Sequence, residues 1–456
     1  MSESAVTNTD VEQAGGDIRH PPGPALPKLV QGYWFALARR QMVRSLTRRY
    51  GAAFTITLPT MGRIVIITDP ILARESFLVS AEDLGNLQPN IGTRLLGPGS
   101  VFALDGPAHR RRRNLLSPLL HGKGVRVYDS VFVEETLREI ASWPVGESFE
   151  TLEPMLRIAL DAILRIILGA EGDELDELRY VIPRWVTLAS RLVPLPMPKR
   201  TYGRFTPWGR LAELRRRYEV VIDKLIAKVR ADPEFENRTD ALSYLLRTRA
   251  EDGTVMSRRD IGDELLTFIT AGHETTASTL AWTFERISRH PELLQQLTAE
   301  AATEESTLRR ATIREVQRTR TVIDFAGRHV YAPTIRLGDW VIPRGDSVMV
   351  FISQIHENAE VFDDSDRFDP QRYISGSPSP FEWLPYGGGT RRCPGSTFAN
   401  LGMDAILRTV LQHFVIEPNP RPAEEWHSRG VAFTPKDGGR IVVRPLAAVD
   451  RCAPRC

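Results

Sequence analysis

No proline interrupts residues 257–290, SRRDIGDELLTFITAGHETTASTLAWTFERISRH. Ser257 can cap the start and Pro291 bars continuation, so one helix of roughly 30 residues, about 45 Å long, is expected. Its middle, LLTFITAGHETTASTLAW, is apolar nearly all round, the pattern of a helix crossing the centre of a domain. Against that background Gly272, His273, Glu274, Thr275 and Thr276 stand out, because a glycine and a carboxylate are costly in a buried helix. Threonine can bond back to the carbonyl one turn earlier and bend or open a helix, and Gly272 eases that distortion. Such a gap would admit a small ligand such as dioxygen beside the Thr275 hydroxyl and the Glu274 carboxyl, a pair able to relay protons. Two threonines satisfied inside an ordinary helix account for the same residues.

A second constraint is PYGGGTRRCPGSTFA, residues 385–399. Cys452 and Cys456 sit in a polar C-terminal tail, which leaves Cys393 alone in the body of the chain. That is no disulfide framework and fits a reducing compartment. The segment after Pro394 is helical in pattern, so the sulfur lies near a helix N-terminus, whose N–H groups and dipole favour a thiolate. Gly387, Gly388, Gly389 and Gly395 let the backbone approach the sulfur and a flat ligand closely. Arg391 and Arg392 add donors suited to carboxylates. Zinc is a poor match, since no second cysteine or histidine lies at ligand spacing. A ligand with four donor atoms of its own, one axial position and carboxylates fits better, as haem does. A glycine-rich turn around a structural cysteine is an equal reading of this segment taken alone.

The rest of the chain fixes the setting. Its 456 residues allow a large core, and the near balance of 59 Lys and Arg against 57 Asp and Glu gives no global pull toward nucleic acid. The first twenty residues are polar, with neither a signal peptide nor a transmembrane anchor, which predicts a cytoplasmic protein. After the proline-rich PPGPALPKLV, WFALARRQMVRSLTRRYG reads as a helix stopped at Gly51. AFTITLPTMGRIVIITDP reads as two strands around a turn. Helical spacing dominates from about residue 71 to 300, broken mainly at LQPNIGTRLLGPGS and VPLPMPKRTYG. Strand-like pieces return in RHVYAPTIRLGDWVI, SVMVFI and GVAFTPKDGGRIVVRP. The expectation is a disordered tail over 1–20, a single domain over 21–445 and a C-terminal tail over 446–456. The fold class is mainly α, with a smaller β region built from both ends of the chain.

Three further pieces are weak alone. REVQR holds Glu315 and Arg318 at i,i+3, usually a solvated pair, and FDPQRY offers Arg372. AHRRRRN places His109 and Arg113 at i,i+4, able to meet one carboxylate together, or simply a basic exposed turn. Taken in order, HRRRRN, AGHETT, EVQR, FDPQRY and YGGGTRRCPG together resemble the cytochrome P450 family, over essentially the whole chain from PPGP to IVVRP.

The resemblance implies a cytochrome P450 fold with the long helix over a haem b, and carries roles residue by residue. Cys393 matches the axial thiolate ligand of the iron. Arg391, His109 and Arg113 match contacts of the haem propionates, with Arg328 of FAGRHV as a further one. Tyr386, Gly387 and Gly395 belong to the loop around the ligand. Glu315, Arg318 and Arg372 match a structural triad behind that loop. Ala271 and Gly272 match the point where the long helix passes the haem, and Glu274 and Thr275 its acid–alcohol pair. The implied activity is a monooxygenase that activates dioxygen with two external electrons and hydroxylates or epoxidises a substrate. Those electrons come from NAD(P)H through ferredoxin and ferredoxin reductase or similar partners, because the chain has no flavin or iron–sulfur domain of its own.

Pocket walls are expected from LQPNIGTRLLGPGSVF, Thr267, Phe268 and Ala271, from Val322, Ile323, Asp324 and Phe325, and from 431–434, including Ala432 and Phe433. They are mostly apolar, which suits a small lipophilic substrate. Asp324 either caps a strand or faces a polar substrate group. VIPRWVTLASRLVPLPMP falls at the family's entrance lid, packed or, if exposed, a peripheral membrane contact. Arg110, Arg111, Arg112 and Arg392 offer a docking patch for an acidic ferredoxin. Two departures stand out: Tyr386 replaces the usual phenylalanine, and the link between HPELLQQL and REVQR is short. The rival functions are a P450-fold peroxygenase or isomerase needing no electron donor, and a haem-binding sensor or carrier without turnover.

Overall fold

The computed structural model describes residues 17–446, apart from 121–127, 171, 193–194, 196–197, 199, 201–202 and 250–252. Most of both predicted tails, including Cys452 and Cys456, and most of the proline-rich break after Leu192 therefore lie outside the described residues. In chain order the elements are α1 (Lys28–Tyr50), β1 (Ala53–Leu58), β2 (Gly62–Ile67), α2 (Pro70–Leu78), β3 (Leu84–Asn86), α3 (Ile91–Leu95), α4 (Gly106–Leu120) and α5 (Asp129–Ile140). Then come β4 (Ser148–Glu150), α6 (Leu152–Leu168), α7 (Asp173–Leu192), α8 (Pro207–Arg230), α9 (Ala241–Arg247), α10 (Arg258–Ile287), α11 (Pro291–Ala301) and α12 (Thr307–Thr319). The last are β5 (Phe325–Val330), β6 (Thr334–Leu337), β7 (Trp340–Pro343), β8 (Ser347–Phe351), α13 (Ile352–His356), α14 (Ser396–His413), β9 (Phe414–Ile416), β10 (Trp426–Ser428), β11 (Phe433–Pro435) and β12 (Arg440–Pro445).

Two compact units emerge, Met1–Pro89 with Phe325–Gln354, and Asn90–Asp324 with Ile355–Cys456. In the first, α1 ends where Gly51 adopts φ 85° and returns its N–H to Thr47. A five-stranded sheet runs β1-β2-β8-β5-β3, with only β2 and β8 parallel. Its apolar face packs Phe54, Ile56, Ile64 and Ile66 with Met349 and Phe351 beneath Met42, Val43 and Leu46 of α1.

The second unit is helical. Its core gathers α6 to α10 and α14 around residues such as Ile163, Val181, Ile222, Leu265 and Leu407, all nearly inaccessible. The expectation of a β region built from both chain ends holds for β5 and β8, which join the N-terminal strands, and needs correcting for β9 to β12. The C-terminal strands stay in this unit, as sheets β4-β12-β9 and β10-β11, and do not join the N-terminal ones. β9 begins where α14 ends, so β12 finds an antiparallel partner close in sequence. The short link before α12 is also explained. Glu300 accepts from the N–H groups of Leu308 and Arg309 at 2.6 and 3.0 Å, capping α12 from the preceding helix.

Candidate active site

The central helix forms as its sequence predicts. Ser257 accepts from the Asp260 N–H at 3.1 Å, and α10 runs unbroken from Arg258 to Ile287. Thr275 Oγ1 donates to the Ala271 carbonyl at 2.8 Å, and Thr270, Ser278, Thr279 and Thr283 make the same bond one turn back. The expected opening at Gly272 does not occur. A Cβ at Gly272 would lie 2.8 Å from Ile163 Cδ1, so the glycine serves the close packing of α10 on α6. His273 is buried, its Nδ1 3.1 Å from the Ile269 carbonyl, and desolvation pulls its imidazole down to about 4, leaving it neutral. Glu274 points to Arg429 after β10, with Oε1 3.4 Å from Nε. Burial raises the Glu274 carboxyl above its ordinary value, and Arg429 opposes that shift.

Around Cys393, Gly387 and Gly389 have φ of 65° and 67°, the left-handed region that favours glycine. The Cys393 N–H donates to the Tyr386 carbonyl at 2.9 Å, closing the loop before α14. Cys393 is partly exposed. Desolvation by the surrounding protein raises its thiol above the ordinary value, against the Gly395 N–H and the charges of Arg113 and Arg392. The Arg113 guanidinium is lowered by burial and sustained by that sulfur. His109 lies buried on the same helix, α4. Arg391 holds the start of that helix, donating to the Leu104 carbonyl at 2.7 Å and to the Asp105 carboxylate. The Tyr386 hydroxyl donates to Asn400 Oδ1 at 2.6 Å and accepts from Gln317 Nε2 at 2.7 Å, so it is committed to α12 and α14.

Behind the loop, Glu315 and Arg318 form a bidentate pair, both bonds 2.8 Å, and are essentially inaccessible. Arg318 also donates to the carbonyls of His356, Ser365 and Arg367. Arg372 Nε meets Glu315 Oε1 at 3.3 Å. This is no solvated pair.

The expected pocket residues fall in several places. Thr267 Oγ1 lies 2.7 Å from both Ser100 Oγ and the Asp263 carbonyl. Phe268 packs against the helical core. Val322, Ile323 and Ala432 cluster with Trp282 and Val316, and Phe433 donates its N–H to the Val322 carbonyl at 2.9 Å. Asp324 is fully buried. Phe325 and Arg328 stand on β5 in the first unit, Phe325 against Phe351 with ring centroids 5.8 Å apart. In the described part of the lid segment, Val181, Ile182, Trp185, Val186, Ala189 and Leu192 are buried, so that part is packed.

Sequence reasoning missed how α10 holds the loop before α4. Asp263 accepts from the Gly99 N–H, and Glu264 from the Val101 N–H, both at 2.9 Å. Arg215 of α8 ion-pairs with Asp263. Arg112 pairs with Glu264 at 3.1 Å and with Asp260 at 3.6 Å, which removes it from the expected docking patch. Arg110, Arg111 and Arg392 remain exposed. The paired glycines of LLGPGSVF were the only local hint: a Cβ at Gly97 would fall 2.2 Å from Asp263 Oδ2.

Among the described residues no group of three or more His, Cys, Asp or Glu could hold a metal ion. An iron on Cys393 must therefore bring its remaining donors with it. A single thiol at a helix start, with the charges of Arg113 and Arg392 acting on it, Arg391 two residues before it and His109 on the same helix as Arg113, fits the donor and charge pattern of an anionic haem. No helix among the described residues is long and apolar enough to cross a membrane.

The sequence profile of the family described as Cytochrome P450 matches residues 21–440. The provisionally named cytochrome P450 138 of Mycobacterium tuberculosis is 58% identical over 427 residues, 94% of this chain and 97% of that protein. The provisionally named cytochrome P450 135B1 of the same species is 35% identical over 441 residues, 93% and 91% of the two chains. Among solved structures, retinoic acid bound cyanobacterial CYP120A1 superposes with a TM-score of 0.83 at 22% identity, covering 94% of this chain and all of that one. The heme domain of cytochrome P450DA gives 0.82 at 20% identity, covering 94% and 98%. These two likenesses concern the fold.

Proposed function

The chain belongs to the cytochrome P450 family, and on that premise we propose that it is a haem-thiolate monooxygenase acting on a small lipophilic substrate. Family membership implies a haem whose iron takes a cysteine thiolate. When bound, that group supplies reductive activation of dioxygen, using electrons from NAD(P)H passed through ferredoxin-type partners. Cys393 is the ligand; burial raises its thiol, and the Gly395 N–H with Arg113 and Arg392 works against that rise, toward the thiolate form. Arg391, His109 and Arg113 bind the propionates as cationic or hydrogen-bonding donors.

Glu274 and Thr275 move protons, from the Glu274 carboxyl and through Thr275 Oγ1. In the resting arrangement both are occupied, Glu274 by Arg429 and Thr275 by the Ala271 carbonyl. Proton transfer therefore requires each to exchange its partner. Thr267, Phe268, Val322, Ile323 and Ala432, with Phe433, supply apolar walls. Glu315, Arg318 and Arg372 keep the segments behind the ligand loop in place. An exposed cationic patch of Arg110, Arg111 and Arg392 suits an acidic electron donor. The peroxide-driven and non-turnover readings make no use of Glu274 and Thr275.

The single observation that carries this reading is the placement of Cys393 just before α14 in a loop turned by Gly387 and Gly389 and closed by its N–H on the Tyr386 carbonyl. The test is the carbon monoxide difference spectrum of the reduced protein beside a Cys393→Ser control. A strongly red-shifted Soret band that the control lacks is the expected result. A band typical of histidine ligation, or no haem, would overturn the proposal.

A further inference from the structure

Helix α1 is apolar on its outer side. Inward it buries Gln31, Met42, Val43 and Leu46, and Gln31 is satisfied there by the Leu26 carbonyl at 2.7 Å and the Thr57 N–H at 2.9 Å. Outward it presents Leu29 at 70% exposure, Val30 at 48%, Tyr33 at 71% and Leu37 at 68%. These recur at three- to four-residue spacing, where a helix packed on a sheet normally carries polar side chains. The backbone departs from helical geometry at Ala38. Beyond it the outer positions change chemistry: Gln41, Arg44, Ser45, Arg48 and Arg49 line a shallow, open recess on the helix surface. The helix holds six cations (Lys28, Arg39, Arg40, Arg44, Arg48 and Arg49) and no acid, in a chain whose net charge is only +2.

We propose that the outer face of α1 docks on an anionic phospholipid surface. Leu29, Val30, Tyr33 and Leu37 enter the boundary between headgroups and acyl chains, and the arginine-lined recess receives phosphate headgroups. An apolar stripe continued by a purely cationic one matches a surface in which negative charge is layered over hydrocarbon. Neither half suffices alone: four apolar side chains bind weakly and reversibly, and cations alone dissociate in salt. The contact is in-plane, since no described helix is long and apolar enough to cross a bilayer.

The test is co-sedimentation of the full-length protein with vesicles of phosphatidylcholine alone and of phosphatidylcholine with one-third phosphatidylglycerol. Binding to the anionic vesicles, reduced by salt, is expected, with far less on the neutral ones. Arg44→Gln/Arg48→Gln/Arg49→Gln should weaken partitioning on the order of a hundredfold at low salt. Leu29→Ser/Tyr33→Ser/Leu37→Ser should remove the part that survives salt. Thermal melts by circular dichroism check that both variants stay folded. Equal sedimentation of all three proteins, or none of the unmodified one, would overturn the proposal. So would a dimer lost in the serine variant, which would assign the face to a second copy. Binding that appears only after deletion of residues 1–16 would assign the face to the chain's own N-terminus, with the same consequence.

Discussion

Arg429 Nε stands 3.4 Å from Glu274 Oε1, tying the turn after β10 to the middle of α10. The same guanidinium reaches toward the exposed Glu153, 3.9 Å away, so one arginine links a buried carboxyl to the surface. Burial raises the Glu274 carboxyl and Arg429 restrains the rise. Replacing Arg429 with Gln should therefore move the Glu274 ionisation to higher pH. Product formation measured against pH should show one limb displaced upward in that variant and absent in Glu274→Gln. The latter should also turn over about a hundredfold more slowly. An unmoved limb in Arg429→Gln would detach Arg429 from proton transfer.

Tyr386 stands where the family usually has phenylalanine, and its hydroxyl is spent on Asn400 and Gln317, not on the sulfur. Tyr386→Phe should cost about 1–2 kcal/mol of stability, because the buried Gln317 and the half-buried Asn400 lose their shared partner. The Soret position of the reduced carbonyl complex should not change. Urea unfolding and the carbon monoxide spectrum read the two effects separately. A shifted band with unchanged stability would mean that the hydroxyl acts on the ligand electronically.

The glutamate–arginine triad is unequal in its parts. Arg318 is nearly inaccessible and feeds one carboxylate and three carbonyls, whereas Arg372 is more open and meets Glu315 through one longer bond. Arg318→Leu should cost about 3–5 kcal/mol by stranding the buried Glu315 charge. Arg372→Leu should cost about 1 kcal/mol or less. Thermal melts of both variants check the ratio, and comparable losses would refute the asymmetry.

What was legible in the sequence was local. Ser257, Pro291 and the lack of any proline between them define α10, and Gly51 and Gly62 mark turns that need positive φ. The cysteine loop was legible because its glycines, its sulfur and the start of α14 are adjacent in sequence. Pairings between distant residues were not. Glu274 with Arg429, Glu264 with Arg112 and Asp263 with Gly99 join elements whose spacing carries no trace of the contact. The packing role of Gly272 was hidden for the same reason: its neighbour Ile163 belongs to another helix. Glu315 and Arg318 taken alone read as a surface pair, because i,i+3 spacing does not reveal burial; only the family resemblance put them in a structural triad.

The arginine run of α4 divides by environment. Arg110 and Arg111 are exposed, while Arg112 is committed to Glu264 and Asp260. Arg110→Glu/Arg111→Glu should slow reduction by an acidic ferredoxin about tenfold at low ionic strength and less in salt, leaving the melting temperature unchanged. Arg112→Glu should instead lower the melting temperature, by removing the donor to Glu264 and the Gly99 carbonyl and placing a carboxylate near Asp260. Stopped-flow reduction and thermal melts distinguish them, and unchanged reduction kinetics in the double variant would remove this patch as a docking site.

Glu264 should make stability depend on pH. It is wholly buried on α10, accepting from the Val101 N–H and from Arg112. Desolvation outweighs these partners and raises its carboxyl from 4.5 to about 7. Between those values the folded chain binds a proton that the unfolded chain releases, so this contribution is full below about pH 4.5 and declines as pH rises through about 7. A shift of that size corresponds to a contribution on the order of 3 kcal/mol. Glu264→Gln keeps an acceptor for Val101 but has nothing to titrate. Urea unfolding from pH 4.5 to 8 should therefore show the unmodified protein losing stability relative to the variant, most steeply between pH 4.5 and about 7 and levelling off above about pH 7. Parallel curves for the two proteins would mean that Arg112 holds Glu264 ionised throughout, and that the loop before α4 is fastened by a permanent ion pair.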